Sequence, residues 1–330
     1  MSLRVEFDET GGPEVLRLRD VEVGGPGPGE LRIRVDAFGL NRAEAMFREG
    51  RYFYPPKFPS GLGYEAAGVV EAVGDAVTGF APGDAVAVVP GFLLTDYATY
   101  GAHALVPAAA AVHRAPGSDP VTAAAVWMTY LTAYGALAED GRTEPGDAVL
   151  ITAASSGVGL AAIQTALRVG AVPIATTRSA EKKRRLLDAG AAHVIVTGTE
   201  DPAERVRQIT GGRGVRTVLD SVGGPGLRDL APLVRPGGSL LLYGALDPRP
   251  AELPTAEERP GITSRFFTVF EVTQDADRLR RAVAFVREGL DTEALTPLVD
   301  RTFDLTEIVE AHRYMESNGQ VGKIVVTVRH

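Results

Sequence analysis

Cysteine is absent from this sequence of 330 residues. Its absence excludes disulfides, thiolate nucleophiles, iron–sulfur clusters and the cysteine-rich sites that usually hold zinc. Histidine is almost as scarce, and none of the five histidines lies at metal-ligand spacing from another: they are His103, His113, His193, His312 and His330. The composition therefore argues against chemistry centred on a metal ion.

A basic surface and long apolar runs are also missing. The chain carries 34 Lys and Arg against 42 Asp and Glu, a net charge of −8, which argues against nucleic acid or an acidic membrane as a partner. We find no apolar run long enough to cross a bilayer and no signal peptide, since the first seven residues already have the pattern of an amphipathic strand. We expect a cytoplasmic protein of two domains.

What the sequence does contain is a βαβ unit of the dinucleotide-binding kind. A short apolar strand at 148–151 leads into a turn of small residues, a helix with apolar residues at helical spacing, and a second strand at 172–177. At the three positions of the fingerprint G-x-G-x-x-G the turn has Ala154, Ser156 and Gly159. A helix start that is merely capped by serines is the alternative interpretation. The residues expected to contact the cofactor in this turn are Ala154, Ser155, Ser156, Gly157 and Val158.

The end of the second strand indicates which dinucleotide fits. An acidic residue there would bind the ribose 2′-hydroxyl of NAD, whereas a 2′-phosphate prefers hydroxyls and cations. This sequence has Thr177 and Arg178, followed by a run of cations at 182–185. We therefore predict NADPH as the cofactor, with Thr177, Arg178 and Lys182 near its 2′-phosphate, although most of the run could be a solvated helix face.

Motifs along the whole chain resemble the medium-chain dehydrogenase/reductases, and within them the zinc-independent quinone oxidoreductase branch. The resemblance implies an α/β protein with a GroES-like, β-rich catalytic domain at 1–120 and a Rossmann domain with a doubly wound parallel sheet at 121–264. The last segment, 265–330, would complete the cofactor sheet and return to the first domain. The motifs that carry the resemblance are Gly61–Gly74, Ala81–Val86, Leu131–Leu137, Gly146–Ile151, Asp220–Gly224 and Gly322–Val326.

The sequence departs from the alcohol dehydrogenases of this family where those enzymes bind catalytic zinc. They carry Gly-His-Glu where this chain has Gly63-Tyr64-Glu65, and one of their cysteine ligands falls near Asn41. A Lewis acid that polarises an alcohol is therefore not expected. What remains is delivery of hydride to an activated C=C bond or a quinone, which requires the cofactor, an apolar pocket and a proton source.

The resemblance also implies the residues of the catalytic pocket. Tyr52 matches in position the acidic tyrosine of mitochondrial-type enoyl thioester reductases, so its phenol could donate a proton or hold the developing enolate. Packing under a proline-rich loop is its alternative role. Asn41 matches an asparagine that faces the nicotinamide in quinone oxidoreductases. Met46, where relatives often have tyrosine, is expected to line the substrate pocket together with Tyr64 and Trp127.

Further cofactor contacts are implied by the resemblance alone. The strand at 262–270 is expected at the edge of the cofactor sheet, where relatives pair it with its copy in a homodimer; coverage by the preceding loop, 247–261, is the alternative. Lys323 is interpreted as a surface residue, although it could reach a cofactor phosphate. The contacts implied in this way are Thr129, Thr132, Thr197, Val222, Gly244, Leu246, Arg265, Phe266 and Phe267.

Periodicity and capping signals predict the remaining elements. Thr306 is expected to cap the last helix. Predicted helices span 120–137, 180–189, 202–210, 226–233, 275–288 and 306–315, and predicted strands include 31–37, 193–196, 214–222, 238–246 and 321–328.

Three functions remain open. The first is an NADPH-dependent reductase of quinones or α,β-unsaturated carbonyls that works without metal. The second is an enoyl thioester reductase of a biosynthetic pathway, which would need a groove lined with Lys and Arg. The third is a non-catalytic NADPH-binding protein of the crystallin or redox-sensor type.

Overall fold

The computed structural model describes residues 2–115 and 117–330, which divide into two units, Met1–Met128 with Pro297–His330 and Thr129–Thr296. Met1, the first residue of the predicted amphipathic strand, lies outside the described residues. In chain order the first unit begins with β1 (Ser2–Phe7), β2 (Arg17–Val21), β3 (Glu30–Gly39), α1 (Arg42–Arg48), β4 (Ser60–Gly61), β5 (Ala66–Val73), β6 (Ala85–Val88), β7 (His103–Pro107), β8 (Ala111–His113) and α2 (Pro120–Ala123).

The second unit alternates strands and helices, and its first helix begins at the end of the first unit. Its elements are α3 (Trp127–Tyr134), β9 (Ala148–Ile151), α4 (Gly157–Arg168), β10 (Val172–Thr177), α5 (Lys183–Asp188), β11 (His193–Val196), α6 (Pro202–Thr210), β12 (Val215–Asp220), α7 (Leu227–Leu230), β13 (Val234–Leu242), β14 (Thr263–Phe266), α8 (Phe270–Thr273) and α9 (Ala276–Asp291). The chain then completes the first unit with β15 (Val299–Asp304), α10 (Ile308–Glu316) and β16 (Lys323–Thr327).

The second unit is built on a six-stranded parallel sheet with the order β11-β10-β9-β12-β13-β14. Its inner strands are apolar on both faces because helices cover both sides, and Leu150, Ile174, Val218 and Leu240 are all completely buried. This order confirms the predicted doubly wound sheet. Since all the strands are parallel, their carboxyl ends meet at one edge, which is where ligands bind in such sheets.

The first unit is dominated by antiparallel pairing around β3. Along β3 buried and half-buried residues alternate, as the sequence predicts for a strand with one face in the core. Strand β16 returns from the end of the chain and pairs with β3 so that Val325 lies opposite Gly39. Continued by two residues in each strand, this register brings Lys323 to Asn41.

Gly39 is required where these elements meet. A Cβ on this residue would collide with the backbone carbonyl of Ala124 and lie 2.7 Å from both Glu65 Oε1 and Lys323 Cε. Only glycine therefore allows the two charged side chains to pack over the end of β3.

The observed units differ from the predicted domain boundaries, which fell after 120 and 264. The second unit keeps the chain as far as Thr296 because α9 packs against α3 and the helical segment that follows it. The Tyr134 and Phe285 rings lie 4.8 Å apart, and Arg278 Nε donates to Glu139 Oε2 at 2.6 Å. These contacts were not visible in the order of motifs along the sequence.

The single helix predicted over 120–137 is interrupted. Helix α2 ends at Ala123, α3 begins at Trp127, and a wider π-helical turn follows from Gly135 to Asp140. The expectation that no run could span a bilayer is wrong by length and composition, because the stretch Pro120–Asp140 is long and apolar enough. Since 78% of its most apolar window is buried inside the molecule, it has the features of a core helix and is weak evidence for a membrane span.

Thr306 is not the cap of the last helix. The cap is Asp304, whose side chain accepts from the Thr306 N–H at 3.1 Å, while Glu307 Oε2 accepts from the Asp304 N–H at 2.9 Å. This reciprocal capping box begins the helical turn two residues earlier than predicted.

Candidate functional site

The turn after β9 has the local geometry of a phosphate-binding turn. Ala153 adopts a left-handed φ of 43° where β9 ends. Ser156 caps α4 by accepting a hydrogen bond from the Gly159 N–H at 3.1 Å, as the alternative interpretation of this turn required. The other N–H groups of the first turn of α4 have no partner within the helix, and the helix dipole makes this end favourable for an anion. Capping and phosphate binding are therefore compatible here.

The third fingerprint position must be glycine. A Cβ on Gly159 would lie 2.5 Å from the carbonyl oxygen of Ala154 and 2.6 Å from its Cα. The helix therefore starts in direct contact with the turn, and any side chain would push the two apart. Ala154, at the first fingerprint position, is completely buried.

At the end of β10, hydroxyls and cations gather near this turn. The Thr177 hydroxyl accepts from the Ser179 N–H at 3.3 Å, and the Thr197 hydroxyl, one strand away, lies 3.4 Å from the Thr177 carbonyl. Lys182 Nζ lies 3.5 Å from Ser155 Oγ, so the structure brings these two predicted residues together. The Arg178 side chain is exposed beside them. The arrangement suits a phosphorylated ribose better than a free 2′-hydroxyl.

A buried carboxylate fixes the neighbouring turn after β12. Asp220 accepts from the Thr152 hydroxyl at 2.5 Å and from the Gly223 N–H at 2.7 Å. Burial raises the pKa of the Asp220 carboxyl, and the hydrogen bond from Thr152 opposes this rise. Through these bonds Asp220 joins the ends of β9 and β12, so the two loops that frame the site are held in a fixed arrangement.

Two buried hydroxyls at the same edge lack hydrogen-bond partners among the described residues. They are Ser221 Oγ and Tyr243 Oη, at the ends of β12 and β13. Burial raises the pKa of the Tyr243 phenol to about 12. The nearby hydroxyls of Ser221 and Ser156 lower this pKa, but neither is aligned to form a hydrogen bond with Tyr243. A buried polar group without a partner costs free energy in the empty protein, so these atoms fit a polar ligand that is hydrogen-bonded there.

Sequence reasoning missed both hydroxyls. The sequence instead predicted contacts from Val222, Gly244 and Leu246, which lie around the same strand ends. Val222 is 36% exposed, and Gly244 and Leu246 are partly exposed. The Leu246 N–H donates to the Ser221 carbonyl at 3.1 Å, which folds this loop back over β12. The available signal was positional, because Ser221 and Tyr243 immediately follow strands of the parallel sheet.

The other predicted cofactor residues lie in α3 and around β14, and most of them are buried or ion-paired. Thr129 and Thr132 are buried in α3, and Phe267 is completely buried just beyond β14. Arg265 is engaged by Glu271 at 2.8 Å and by Asp140, whereas Phe266 is 47% exposed on the edge strand. The structure therefore places Arg265 in an ion-pair network.

In the first unit, Asn41 is the centre of a buried polar network. Its Nδ2 donates to Glu44 Oε1 and Glu65 Oε1, both at 3.1 Å, and its Oδ1 accepts from Lys323 Nζ. Lys323 also forms an ion pair with Glu65 at 2.5 Å, with 4% and 0% of the two side chains exposed. The Met128 N–H donates to the second oxygen of Glu65 at 3.0 Å. The interpretation of Lys323 as a surface residue is therefore wrong, because its ammonium neutralises a buried carboxylate.

Glu44 is the least satisfied member of this network. Burial raises the pKa of its carboxyl to about 7, although Lys323 and Asn41 oppose the rise. Its Oε2 and the Tyr100 hydroxyl have no hydrogen-bond partner among the described residues. Burial, and next the Glu44 carboxylate, raise the pKa of the Tyr100 phenol. Glu44 therefore changes charge near neutral pH inside a completely buried environment.

Three phenols form a second cluster in the first unit. Tyr64, which replaces the zinc-binding histidine of related enzymes, is completely buried and donates to Tyr52 at 3.3 Å. The Tyr54 hydroxyl lies 2.5 Å from that of Tyr64 and accepts from the Leu94 N–H at 3.0 Å. Burial raises the pKa of all three phenols, so they are protonated donors at neutral pH. Tyr54 was not identified from the sequence.

The two remaining pocket candidates differ in exposure. Met46 lies half-buried on α1, whereas Trp127 is only 4% exposed at the start of α3. Tyr52 is half-buried.

The side chains at the zinc positions do not suit a metal ion. Over residues 2–115 and 117–330, no group of three or more His, Asp or Glu side chains could hold an ion. Tyr64 is neutral and bonded to other phenols, and Glu65 is already neutralised by Lys323. The donor set is therefore not that of a catalytic zinc site.

Comparison with known families gives two matches. Residues 27–139 match the family described as alcohol dehydrogenase GroES-like domain, and residues 189–326 match the family described as zinc-binding dehydrogenase. The first match confirms the predicted GroES-like domain.

Individual proteins are similar over most of their length. A 2-haloacrylate reductase from a Burkholderia species is 31% identical over 334 residues, which cover 99% of both chains. The quinone oxidoreductase of Pseudomonas aeruginosa is 40% identical over 245 residues, 74% of each chain. Among solved structures, the Escherichia coli quinone oxidoreductase complexed with NADPH has a TM-score of 0.92 at 28% identity, covering 98% of this chain and 99% of that one. A solved enoyl reductase has a TM-score of 0.87 at 27% identity, covering 99% of both.

Proposed function

Because this chain belongs to the zinc-independent, quinone oxidoreductase-like branch of the medium-chain dehydrogenase/reductase family, we propose that it reduces a quinone or an α,β-unsaturated carbonyl with NADPH. It is an oxidoreductase. The choice of substrate rests on the side chains of Asn41, Tyr64 and Glu65. They form hydrogen bonds and an internal ion pair, and they offer no ligands for a metal ion that would act as a Lewis acid. An acceptor already activated for hydride is the substrate that such a site can reduce.

NADPH is the cofactor, and the second unit has the groups to hold it. When bound, its nicotinamide supplies the hydride. The turn from Ala154 to Gly159 presents N–H groups to the diphosphate, and Arg178 and Lys182 provide cations for the 2′-phosphate. The unpartnered hydroxyls of Ser221 and Tyr243 support this assignment, because bound ribose or phosphate oxygens would satisfy them.

The proton that completes the reduction comes from Tyr52 or from water. Tyr52 is protonated at neutral pH and its side chain is only half-buried, so it can donate to the α-carbon or to the oxygen that gains charge. Since neither route needs a metal, we propose a metal-free reaction.

Reduction of an enoyl thioester is the second candidate. It is supported by the similarity to a solved enoyl reductase and by the position of Tyr52. The non-catalytic alternative is not retained, because the similar proteins compared above are named oxidoreductases or reductases.

We also propose that the protein forms a homodimer through β14. This strand is the last one in the order of the parallel sheet, and β13 is the one strand that pairs with it among the described residues, so a row of its backbone groups is left for another strand. A second copy of β14 would pair with that row. Sedimentation of the purified protein at twice the monomer mass would support the proposal, and a monomer at all concentrations would refute it.

The function is tested by following NADPH consumption with a simple quinone, an enone and an enoyl thioester, before and after treatment with a chelator. Turnover of a quinone or enone that survives the chelator is the expected result. Preference for the thioester would favour the second candidate. Loss of activity that zinc restores, or no turnover with any of these acceptors, would overturn the proposal.

A further inference from the structure

The three phenols of the first unit are joined in one direction. Backbone N–H groups can only donate, so the Leu94 N–H, 3.0 Å from Tyr54 Oη, makes the Tyr54 oxygen an acceptor. The Tyr64 hydroxyl donates to Tyr52 at 3.3 Å, which uses its single hydrogen. The close contact of 2.5 Å between Tyr54 and Tyr64 must therefore be a donation from Tyr54 to Tyr64.

This order leaves the Tyr52 hydrogen at the end of the chain. Tyr52 accepts from Tyr64, and among the described residues no acceptor is found for its own hydrogen. Building on the proposed function, we propose that Tyr54 and Tyr64 are positioning residues that polarise Tyr52 and stabilise the phenolate formed when it gives its proton to the substrate. The chain of donors from Leu94 to Tyr52 is called the phenol relay below.

Aromatic packing holds the relay in place. The Phe47 ring meets Tyr52 and Tyr54 edge-on, at centroid distances of 6.2 and 5.4 Å. Tyr64 is completely buried and its ring lies 6.0 Å from that of Phe92. Since the rings cannot rotate away without disturbing this packing, the hydroxyl oxygens keep their order, and each bond strengthens the next.

The surroundings of Tyr52 make its phenol a weak acid, and the relay opposes this effect. Burial is the main cause that raises the pKa of Tyr52, the hydrogen bond from Tyr64 lowers it, and the nearby Tyr54 and the charge of Glu44 raise it further. Burial also raises the pKa of Tyr54, the hydrogen bonds with Tyr64 and Leu94 lower it, and the Asp96 and Glu44 carboxylates raise it further. A phenol in this environment is a poor acid unless its conjugate base is stabilised, and the relay supplies the stabilising hydrogen bonds.

The step balances with the reduced cofactor as the two-electron donor, which is left oxidised, and with one proton that solvent finally supplies. The β-carbon of the acceptor gains a hydride from the cofactor, the O–H bond of Tyr52 breaks, and its proton forms a new C–H bond at the α-carbon or an O–H bond at the carbonyl oxygen. The Tyr52 phenolate accepts hydrogen bonds from the relay and then recovers a proton from water.

The acidity of residue 52 tests the relay without any substrate. A polyfluorinated tyrosine at position 52 ionises at lower pH, and its absorbance reports the pKa of that phenol directly. We expect Tyr64→Phe to raise this pKa by about one unit, the equivalent of one hydrogen bond to a charged oxygen. Tyr54→Phe, which removes the preceding donor, should raise it by about a third of that. Thermal melting checks that each variant folds.

Tyr97→Phe is the matched control, because its hydroxyl bonds to Glu30 at 2.8 Å and the substitution keeps the ring that packs on Phe92. It should leave the pKa at position 52 unchanged. An unchanged pKa in both Tyr54→Phe and Tyr64→Phe, or an equal rise in Tyr97→Phe, would refute the relay.

The same variants separate the relay from the proposed function. In enone reduction, Tyr64→Phe should lower kcat about tenfold and leave the affinity for NADPH, measured by fluorescence titration, unchanged. The expected pKa shifts without turnover of any acceptor would leave the relay standing and refute the proposed function. Turnover with no pKa shift would do the reverse.

Discussion

The ion pair beside Asn41 in the first unit and the strand ends of the second unit differ in whether their buried polar groups find partners within the chain. In the first unit, Glu65 and Lys323 satisfy each other and share Asn41, so their charges are neutralised within the chain. In the second unit, the hydroxyls of Ser221 and Tyr243 are buried at the edge of the parallel sheet without partners among the described residues. Buried polar groups that are partnered within the chain maintain the fold, whereas buried polar groups without a partner are available to bind a ligand. Removing a group of the first kind should cost stability, and removing one of the second kind should cost only binding.

The largest effect is expected for Lys323→Met. The substitution leaves the Glu65 carboxylate buried without its cation, which costs about 3–5 kcal/mol in the free energy of unfolding. Urea denaturation of the purified variant measures this loss. Lys57→Met, at an exposed lysine of the same unit, is the control and should change stability by less than about 0.5 kcal/mol. Equal effects of the two substitutions would mean that the ion pair does not support the fold.

Glu44 should make the stability of the first unit depend on pH. Its pKa is about 7 in the folded protein against an ordinary value of 4.5, so between these values the folded chain holds a proton that the unfolded chain has lost. The free energy of unfolding should therefore fall as pH rises through this window, by up to about 3 kcal/mol. Above it, the full cost of the buried charge is present.

Glu44→Gln should remove this part of the pH dependence because its amide cannot ionise. The measurement is urea denaturation between about pH 5 and about pH 8, with the exposed Glu257→Gln as the control. A variant that keeps the parental slope in this window would show that another group is responsible.

The comparison also explains what the sequence could predict. The turn from Ala153 to Gly159 was predictable because its strand, small residues and helix lie within one short segment. Lys323 was not, because it meets Asn41 across 282 positions of sequence, and lysine is rarely buried unless it has a partner. The same limit applies to Tyr54, whose role depends on the Leu94 backbone.

Small errors of position had local causes. Tyr243 was missed because the strand predicted at 238–246 ends at Leu242, which places Tyr243 at the ligand edge and not inside the strand. Asp304 competed with Thr306 for the cap, and the glutamate three residues after Asp304 decided in its favour. Within the second unit, local patterns therefore predicted the backbone of the site better than its side chains.

Arg178→Ala tests the cations of the second unit, and its expected effect on free energy is intermediate in size. We expect the affinity for NADPH to fall about tenfold, or about 1.4 kcal/mol, and the affinity for NADH to remain unchanged, since only NADPH carries the 2′-phosphate. Fluorescence titration of both cofactors measures the difference. Arg184→Ala is the control from the same run of cations, because its side chain is 83% exposed and pairs with Asp188. Equal loss of NADPH and NADH would refute the assignment of Arg178.

Tyr243→Phe should have the smallest effect and separates binding from folding. The substitution keeps the ring and removes a hydroxyl that has no hydrogen-bond partner in the protein, so the stability of the free protein should stay the same or rise. The affinity for NADPH should fall about three- to tenfold, since one hydrogen bond is worth about 0.5–1.5 kcal/mol. Urea denaturation and fluorescence titration of the same sample give the two values. A loss of stability without a loss of affinity would place Tyr243 with Lys323 among the groups that maintain the fold, and the contrast between the two units would fail at this residue.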